Sequence, residues 1–137
     1  MKNNGDFSKY EKELASVCKS TVMATDEYQK SLDPKKNRSA SVSEYYTFSE
    51  KLSACVLLAN KAADGISALI VDADKVNDFD AMEALNKLLE EYIHYRMYVE
   101  SFLKTTETAK SSEDFLRVLN READVMARRI IAISRKN

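Results

Sequence analysis

The single histidine of the chain lies in the segment whose residue types are best suited to chemistry. Glu91 and His94 form a Glu-x-x-His pair, which is the spacing that di-iron helical bundles use to bind metal from one helix face. A complete di-iron centre also needs carboxylates that point inward from other helices. Glu91 and His94 are therefore weak candidates for metal ligands, and no bound metal or other cofactor is predicted from this pair alone.

Three tyrosines, Tyr92, Tyr95 and Tyr98, surround this histidine in the sequence. Buried tyrosine hydroxyls need hydrogen-bond partners, so a small-molecule pocket inside a helical bundle is one interpretation. A plain aromatic core is the favoured one. With one histidine and two glycines, the parts of a Cys-His dyad, a serine triad or a glycine-rich phosphate loop are missing. We therefore predict that the protein is not an enzyme.

Composition indicates which elements must position these side chains. The 137 residues are 45% hydrophobic and 31% charged, which suits one globular domain spanning residues 1–137. Two glycines and one proline are few, because average usage would supply about 9 glycines and 7 prolines. Turns and sheet corners use these residues, so their scarcity favours long helices with few loops.

Charge and cysteine content restrict the partners and the compartment. The formal net charge is −1, with 21 basic and 22 acidic residues, so no nucleic-acid partner is expected. The longest apolar run, residues 55–59, is far shorter than the ~20 residues of a membrane span, and no integral membrane segment is expected. Cys18 and Cys55 form no disulfide pattern, which favours a reducing, cytoplasmic location.

Apolar residues recur at alternating gaps of three and four along the whole chain, which is the spacing of a heptad seam. Capping-box patterns at Ser8 and Ser41 predict where the first two helices begin, and Pro34 predicts the loop between them. The first seam consists of Phe7, Tyr10, Leu14, Val17, Thr21, Ala24 and Tyr28. The second consists of Tyr45, Phe48, Leu52, Cys55, Ala59, Ala62, Ile66, Leu69, Ala73 and Val76.

The second half of the chain continues the same pattern. Asn77 and Asp78 supply caps for the third helix. Its seam consists of Ala81, Leu85, Leu88, Tyr92, Tyr95, Val99, Phe102, Thr106 and Ala109. The fourth seam consists of Leu116, Leu119, Ala123, Met126, Ile130 and Ile133. Because Tyr92 and Tyr95 face the core in this register, Glu91 is predicted on the flank and His94 towards solvent.

These seams predict an all-α protein, an up-down-up-down antiparallel four-helix bundle with the middle two helices longest. The predicted helices span about 8–32, 42–75, 78–109 and 112–135. Gly65 interrupts the second seam, and a glycine inside a helix costs about 1 kcal/mol relative to alanine. A bend or break there is left open, although one continuous helix is favoured because the seam stays in phase.

Apolar residues outside the seams carry the functional prediction. They form either a wider core or a second stripe for partners, since contiguous exposed apolar surface marks interaction sites. The predicted interface residues are Val22, Met23, Leu57, Leu58, Ile93, Met97, Val118, Val125 and Ile131. The favoured hypothesis is a non-catalytic scaffold that self-associates or docks partner helices. The alternatives are a bundle that binds metal or a small molecule, as ferritin-like proteins do, and then membrane-surface binding.

Overall fold

Four helices account for nearly all of the described chain. The computed structural model describes residues 4–32, 35 and 38–136, with side chains for 8–32, 35 and 41–134. The helices are α1 (Asn4–Ser31), α2 (Arg38–Lys75), α3 (Phe79–Ala109) and α4 (Phe115–Lys136). No strand occurs in these described ranges, so the all-α prediction is confirmed.

The helices form an antiparallel bundle in which each helix packs against the next and α1 packs against α4. The prediction that the middle helices are longest is confirmed, with 38 residues in α2 and 31 in α3. The outer helices have 28 and 22 residues. Since a helix rises about 1.5 Å per residue, the hairpin of α2 and α3 projects roughly 13 Å beyond the end of α4.

The helix starts differ from the predicted ones by a few residues. α1 begins at Asn4 and α2 at Arg38, so Ser8 and Ser41 lie inside helices rather than at their caps. Ser41 is buried, which shows that the first turn of α2 already packs against the bundle. α4 begins at Phe115 rather than at residue 112. Pro34, on which the first predicted loop depends, lies outside the described residues.

The predicted seams form most of the core, with differences in α1, α2 and α4. Cys18, which lies outside the predicted first seam, is also fully buried. In α1, Thr25 is fully buried and Ala24 is only half-buried. The Thr25 hydroxyl is satisfied in the core by donating to the Thr21 carbonyl at 2.7 Å. In α4, Phe115 rather than Leu116 is buried. In α2, Val76 is exposed because it lies at the projecting hairpin, beyond the packed part of the seam. The side chain of Phe7 lies outside the described residues.

α2 is one continuous helix through Gly65, as favoured from the phase of the seam. The glycine is explained by its neighbour on α1: a Cβ atom at position 65 would overlap the ring and hydroxyl of Tyr10. The carbonyl of Tyr10 accepts a hydrogen bond of 2.5 Å from the Tyr92 hydroxyl on α3. Gly65 therefore allows Tyr10 to lie close to α2, at a point where three helices meet.

Two caps close the turn between α2 and α3, one at the end of α2 and one at the start of α3. Asn77 has a positive φ of 56°, and the amide of Asp78 donates to the Ala73 carbonyl at 2.9 Å. With the Asn77 amide on the Asp74 carbonyl, this pattern is a Schellman motif. The Asp78 carboxylate then accepts from the Ala81 amide at 3.2 Å and caps α3. The predicted cap of α3 is confirmed at Asp78, whereas Asn77, predicted as a cap of the same helix, instead ends α2.

This turn gives a first test of the fold. Asp78→Ala removes the cap and is expected to lower the free energy of unfolding by about 1 kcal/mol. Asn77→Ala is expected to lower it by about 1 kcal/mol, because alanine lacks the short polar side chain with which asparagine stabilises the left-handed conformation. Asn77→Gly is the matched control and should leave stability unchanged or higher. Urea unfolding measures all three, and equal effects of Asn77→Ala and Asn77→Gly would contradict the motif.

Candidate functional site

The structure places His94 on the outer surface of α3, as predicted. It is exposed, and its ring stacks on Tyr98 with the centroids 6.1 Å apart. The Arg129 guanidinium of α4 lies over the other ring of this pair, 5.4 Å from the Tyr98 centroid. Tyr98 thus contributes to the α3–α4 surface contact and His94 packs on it within α3, an arrangement that requires no metal.

Glu91 is half-buried on the flank of α3, also as predicted from the seam. Within the described ranges, no group of three or more His, Cys, Asp or Glu side chains is arranged to hold a metal ion. Because a di-iron site needs carboxylates from several helices, the geometry of Glu91 and His94 gives no support to the metal-binding alternative.

The buried tyrosines act as hydrogen-bonded connections between helices. The Tyr95 hydroxyl shares a hydrogen bond of 2.6 Å with the Thr21 hydroxyl of α1. The Tyr45 hydroxyl of α2 shares one of 2.7 Å with the Thr106 hydroxyl of α3. Both pairs are buried, so each satisfies polar groups that would otherwise be costly in the core. These contacts support the plain-core interpretation of the aromatic stripe.

Tyr28 differs from the other buried tyrosines. Its ring stacks on Phe48 with the centroids 4.4 Å apart, but its buried hydroxyl has no hydrogen-bond partner among the described residues. Burial raises the pKa of Tyr28 well above its usual range, and the negative charge of Glu44 raises it further. The hydroxyl is therefore a neutral group at neutral pH and is a poor acid or nucleophile.

The two cysteines differ in exposure, and Cys18 is not placed for thiol chemistry. Cys18 is fully buried and Cys55 is half-buried, and both are free thiols. Burial raises the pKa of Cys18 to about 11, although a hydrogen bond with Ser134 opposes that shift. Since the thiolate is the reactive form, Cys18 is inert at neutral pH.

The concave surfaces are grooves between neighbouring helices. One groove of 460 Å³ lies between α1 and α2 and is lined by Lys9, Glu13, Leu58 and Lys61 among others. Another, of 590 Å³, lies between α1 and α4 and includes Asp114. Their lining mixes charges of both signs, and neither groove contains the buried hydroxyls of Tyr45 or Tyr95.

The predicted interface residues divide into two groups by exposure. Val22, Val118, Val125 and Ile131 are half-buried on the flanks of α1 and α4. The exposed members are Met23 on α1, Leu57 and Leu58 on α2, and Ile93 and Met97 on α3, with exposed fractions from 37% to 69%. The prediction omitted Val71, Val76 and Phe79, which are also exposed. Val71 extends the apolar surface of α2, and the other two lie at the hairpin.

The helix α2 is the most apolar of the described helices and exposes several apolar side chains. The segment Ser41–Lys75 is long and apolar enough to cross a membrane by length and composition, with a mean hydropathy of 1.6 in its best 18-residue window. Core helices of soluble proteins pass the same test when most of the window is buried, but only 22% of this window is buried. Some apolar side chains of this segment pack against the core, but Leu57, Leu58 and Val71 are exposed.

Comparison with known proteins adds no family to this description. No protein-family model, curated protein or solved structure matches the chain. The class that the structure defines is an all-α four-helix bundle, and its function must be argued from its own surface.

Proposed function

We propose that this protein is a non-catalytic helical interaction protein, which self-associates or docks partner helices through apolar faces outside its core seams. The observation that carries the proposal is the exposure of α2, whose most apolar window is only 22% buried. Leu57 and Leu58 are the clearest cases, with 69% and 60% of their surfaces exposed.

The energetics favour a covered state for such a face. Burying a leucine side chain completely contributes about 1.5–3 kcal/mol relative to leaving it in water. Single exposed apolar residues are ordinary, but here Leu57, Leu58 and Val71 follow one another along one helix. A second helix laid along α2 would bury Leu57 and Val71, which are fourteen residues apart and so lie on nearly the same face of the helix.

At the height of Leu57 in the bundle, α3 also carries an exposed apolar side chain. α2 and α3 are symmetric about the turn at Asn77, so residues equally far from it lie at the same height. Leu57 and Met97 are each twenty positions from Asn77 and therefore lie level, and both are exposed. A helical partner that covers the middle of α2 has Met97 within the same zone of the bundle.

The chemistry of the interior agrees with a non-catalytic role. Burial raises the pKa of Cys18 to about 11 and also raises the pKa values of Tyr92 and Tyr95. These groups are neutral and hydrogen-bonded at neutral pH, so they hold the bundle together and are poorly suited to proton transfer or nucleophilic attack. The absence of enzymatic activity and the cytoplasmic location stay predictions.

The test compares matched lysine variants. Leu57→Lys is expected to reduce association measured by light scattering over a range of concentrations, because it places a charge in the apolar face. Val76→Lys is the control, since Val76 is 73% exposed at the hairpin and outside the proposed face. Urea unfolding should be nearly the same for both variants.

Two measurements together would contradict the proposal. If the wild-type chain is monomeric at every concentration, and Leu57→Lys captures the same helical partners as wild type, the apolar face has no binding role. Co-sedimentation with vesicles of neutral and anionic lipid serves as a separate arm. Pelleting that is abolished by Leu57→Lys, in a chain that forms no protein complex, would replace docking by membrane-surface binding.

A further inference from the structure

A single stripe of exposed residues runs along the outer face of α2 over 26 residues. Its members follow gaps of four and three in strict alternation, so they lie on one face of the helix. The stripe, called the outer stripe below, consists of Glu50, Ala54, Leu57, Lys61, Asp64, Ala68, Val71 and Lys75. All eight are exposed.

The outer stripe is complementary to its own reverse. Read inward from its two ends, it pairs an acid with a base, a small residue with a branched one, a large residue with a small one, and a base with an acid. These pairs are Glu50 with Lys75, Ala54 with Val71, Leu57 with Ala68, and Lys61 with Asp64. Every pair matches in charge or in size.

From this order we propose that a second copy of this chain binds the outer stripe, with the two α2 helices antiparallel. The two-fold axis passes between Lys61 and Asp64, so each pair occurs twice in the dimer. The inference rests on the proposed function, which it deepens by naming the partner and the register. Two-fold symmetric dimers are the commonest protein oligomers.

Other registers of the same two helices lose the match. A shift by one heptad in either direction places Leu57 opposite a lysine, Lys75 in one case and Lys61 in the other. A parallel arrangement in register places each charge of the stripe opposite an identical charge, which is unfavourable. The antiparallel register centred between Lys61 and Asp64 is therefore selected by both charge and apolar contact.

The four charged residues of the outer stripe are available for contacts between chains. None of the ion pairs formed within the described part of the chain involves Glu50, Lys61, Asp64 or Lys75. Other surface charges are paired along their own helix, such as Lys87 with Glu83 at 3.5 Å on α3. The stripe thus combines unused charges with exposed apolar side chains.

The sizes along the stripe also suit close packing of two helices. Ala54 and Ala68 leave shallow positions, and in the proposed register they face the branched side chains of Val71 and Leu57. Large side chains opposite small ones allow two helix surfaces to interdigitate. The stripe spans about 37 Å at 1.5 Å per residue, which is comparable to the seams that hold the bundle itself together.

Charge reversal tests the register without touching the core. Glu50→Lys places two lysines opposite each other at both ends of the dimer, and Lys75→Glu places two glutamates there. Each single variant is expected to raise the dimer Kd by about tenfold, and the double variant should restore it. The control pair is Glu83→Lys and Lys87→Glu on α3, which lies outside the stripe and should leave the Kd unchanged.

Cross-linking tests the same register by distance. In a Cys55→Ser background, Ala54→Cys and Val71→Cys chains are prepared separately and then mixed with a short bismaleimide. The mixture should form covalent dimers, because position 54 of one chain faces position 71 of the other. Each variant alone should not, since positions 54 of the two chains are about 25 Å apart along the helices.

The outcomes separate this inference from the proposed function. The proposed antiparallel dimer is overturned if the chain is monomeric at all concentrations. It is also overturned if neither single charge reversal changes the dimer Kd. If association is then lost in Met97→Lys or Leu57→Lys, the proposed function stands with another partner arrangement. If neither lysine variant changes any association, both fail. Restored dimerisation in the double reversal, together with cross-linking only in the mixture, supports the register.

Discussion

Leu52→Ala is expected to lower the free energy of unfolding by about 2–5 kcal/mol, whereas Leu57→Ala should change it by less than about 0.5 kcal/mol. The two leucines lie on the same helix, five residues apart. Leu52 is fully buried in the seam, and Leu57 is 69% exposed on the outer stripe. Truncating Leu52 leaves a cavity among packed side chains, while truncating Leu57 removes atoms that already contact water.

Urea unfolding followed by circular dichroism measures both variants, at a protein concentration low enough to keep the chain monomeric. At a concentration above the dimer Kd, the Leu57→Ala effect should grow, because the dimer adds stability by mass action. Equal losses for the two variants at low concentration would show that the outer stripe is part of the core of one chain.

Alkaline pH is expected to unfold the bundle cooperatively as its buried tyrosines ionise. Burial raises the pKa values of Tyr28, Tyr92 and Tyr95 above the ordinary value of 10.0. A pKa that is raised in the folded state contributes stability that is present below the unfolded pKa. That stability is lost as the pH rises above about 10, at about 1.4 kcal/mol per pKa unit. Cys18 adds to the loss between its ordinary value of 9.0 and about 11.

Tyrosinate absorbance and helical circular dichroism, recorded together during a pH titration, measure this transition. Tyr28→Phe provides the matched variant, since the Tyr28 hydroxyl is buried without a partner among the described residues. It should move the transition to higher pH and leave stability at pH 7 unchanged or slightly higher. Tyr95→Phe breaks the hydrogen bond with Thr21 and should lower stability at pH 7 by about 1–2 kcal/mol. Gradual ionisation of these tyrosines in a chain that stays helical would contradict the prediction.

The fold was predictable because heptad spacing records which side of each helix is buried. Leu14, Leu52 and Ile130 lie in seams and are fully buried. The errors occur where two adjacent residues both fit the spacing and the packing of the neighbouring helices decides which of them is buried. Thr25 is buried although Ala24 is the predicted seam position. Its hydroxyl is satisfied by a carbonyl of its own helix, and the spacing of apolar residues carries no information on that contact.

The candidate surface was only partly predictable for a similar reason. Leu57 and Met97 were identified as apolar residues outside the seams, but sequence alone did not distinguish a second stripe from a wider core. Val118 and Val125 are half-buried although they satisfy the same criterion. Ala54 and Ala68 carry little hydrophobic signal individually. Their relation to Val71 and Leu57 emerges only when the exposed face of α2 is known.

The turn at Asn77 has a consequence for the speed of folding. It joins the two longest helices through a few residues, so the first tertiary contact requires almost no loop closure. The other sequential pairs, α1 with α2 and α3 with α4, are also neighbours, and distant parts of the chain are joined by the packing of α1 against α4 and by a smaller contact of α1 with α3. Helical proteins dominated by such local contacts fold within microseconds to milliseconds. We therefore expect the α2–α3 hairpin to form first, so that the outer stripe is presented on a formed helix before α1 and α4 meet.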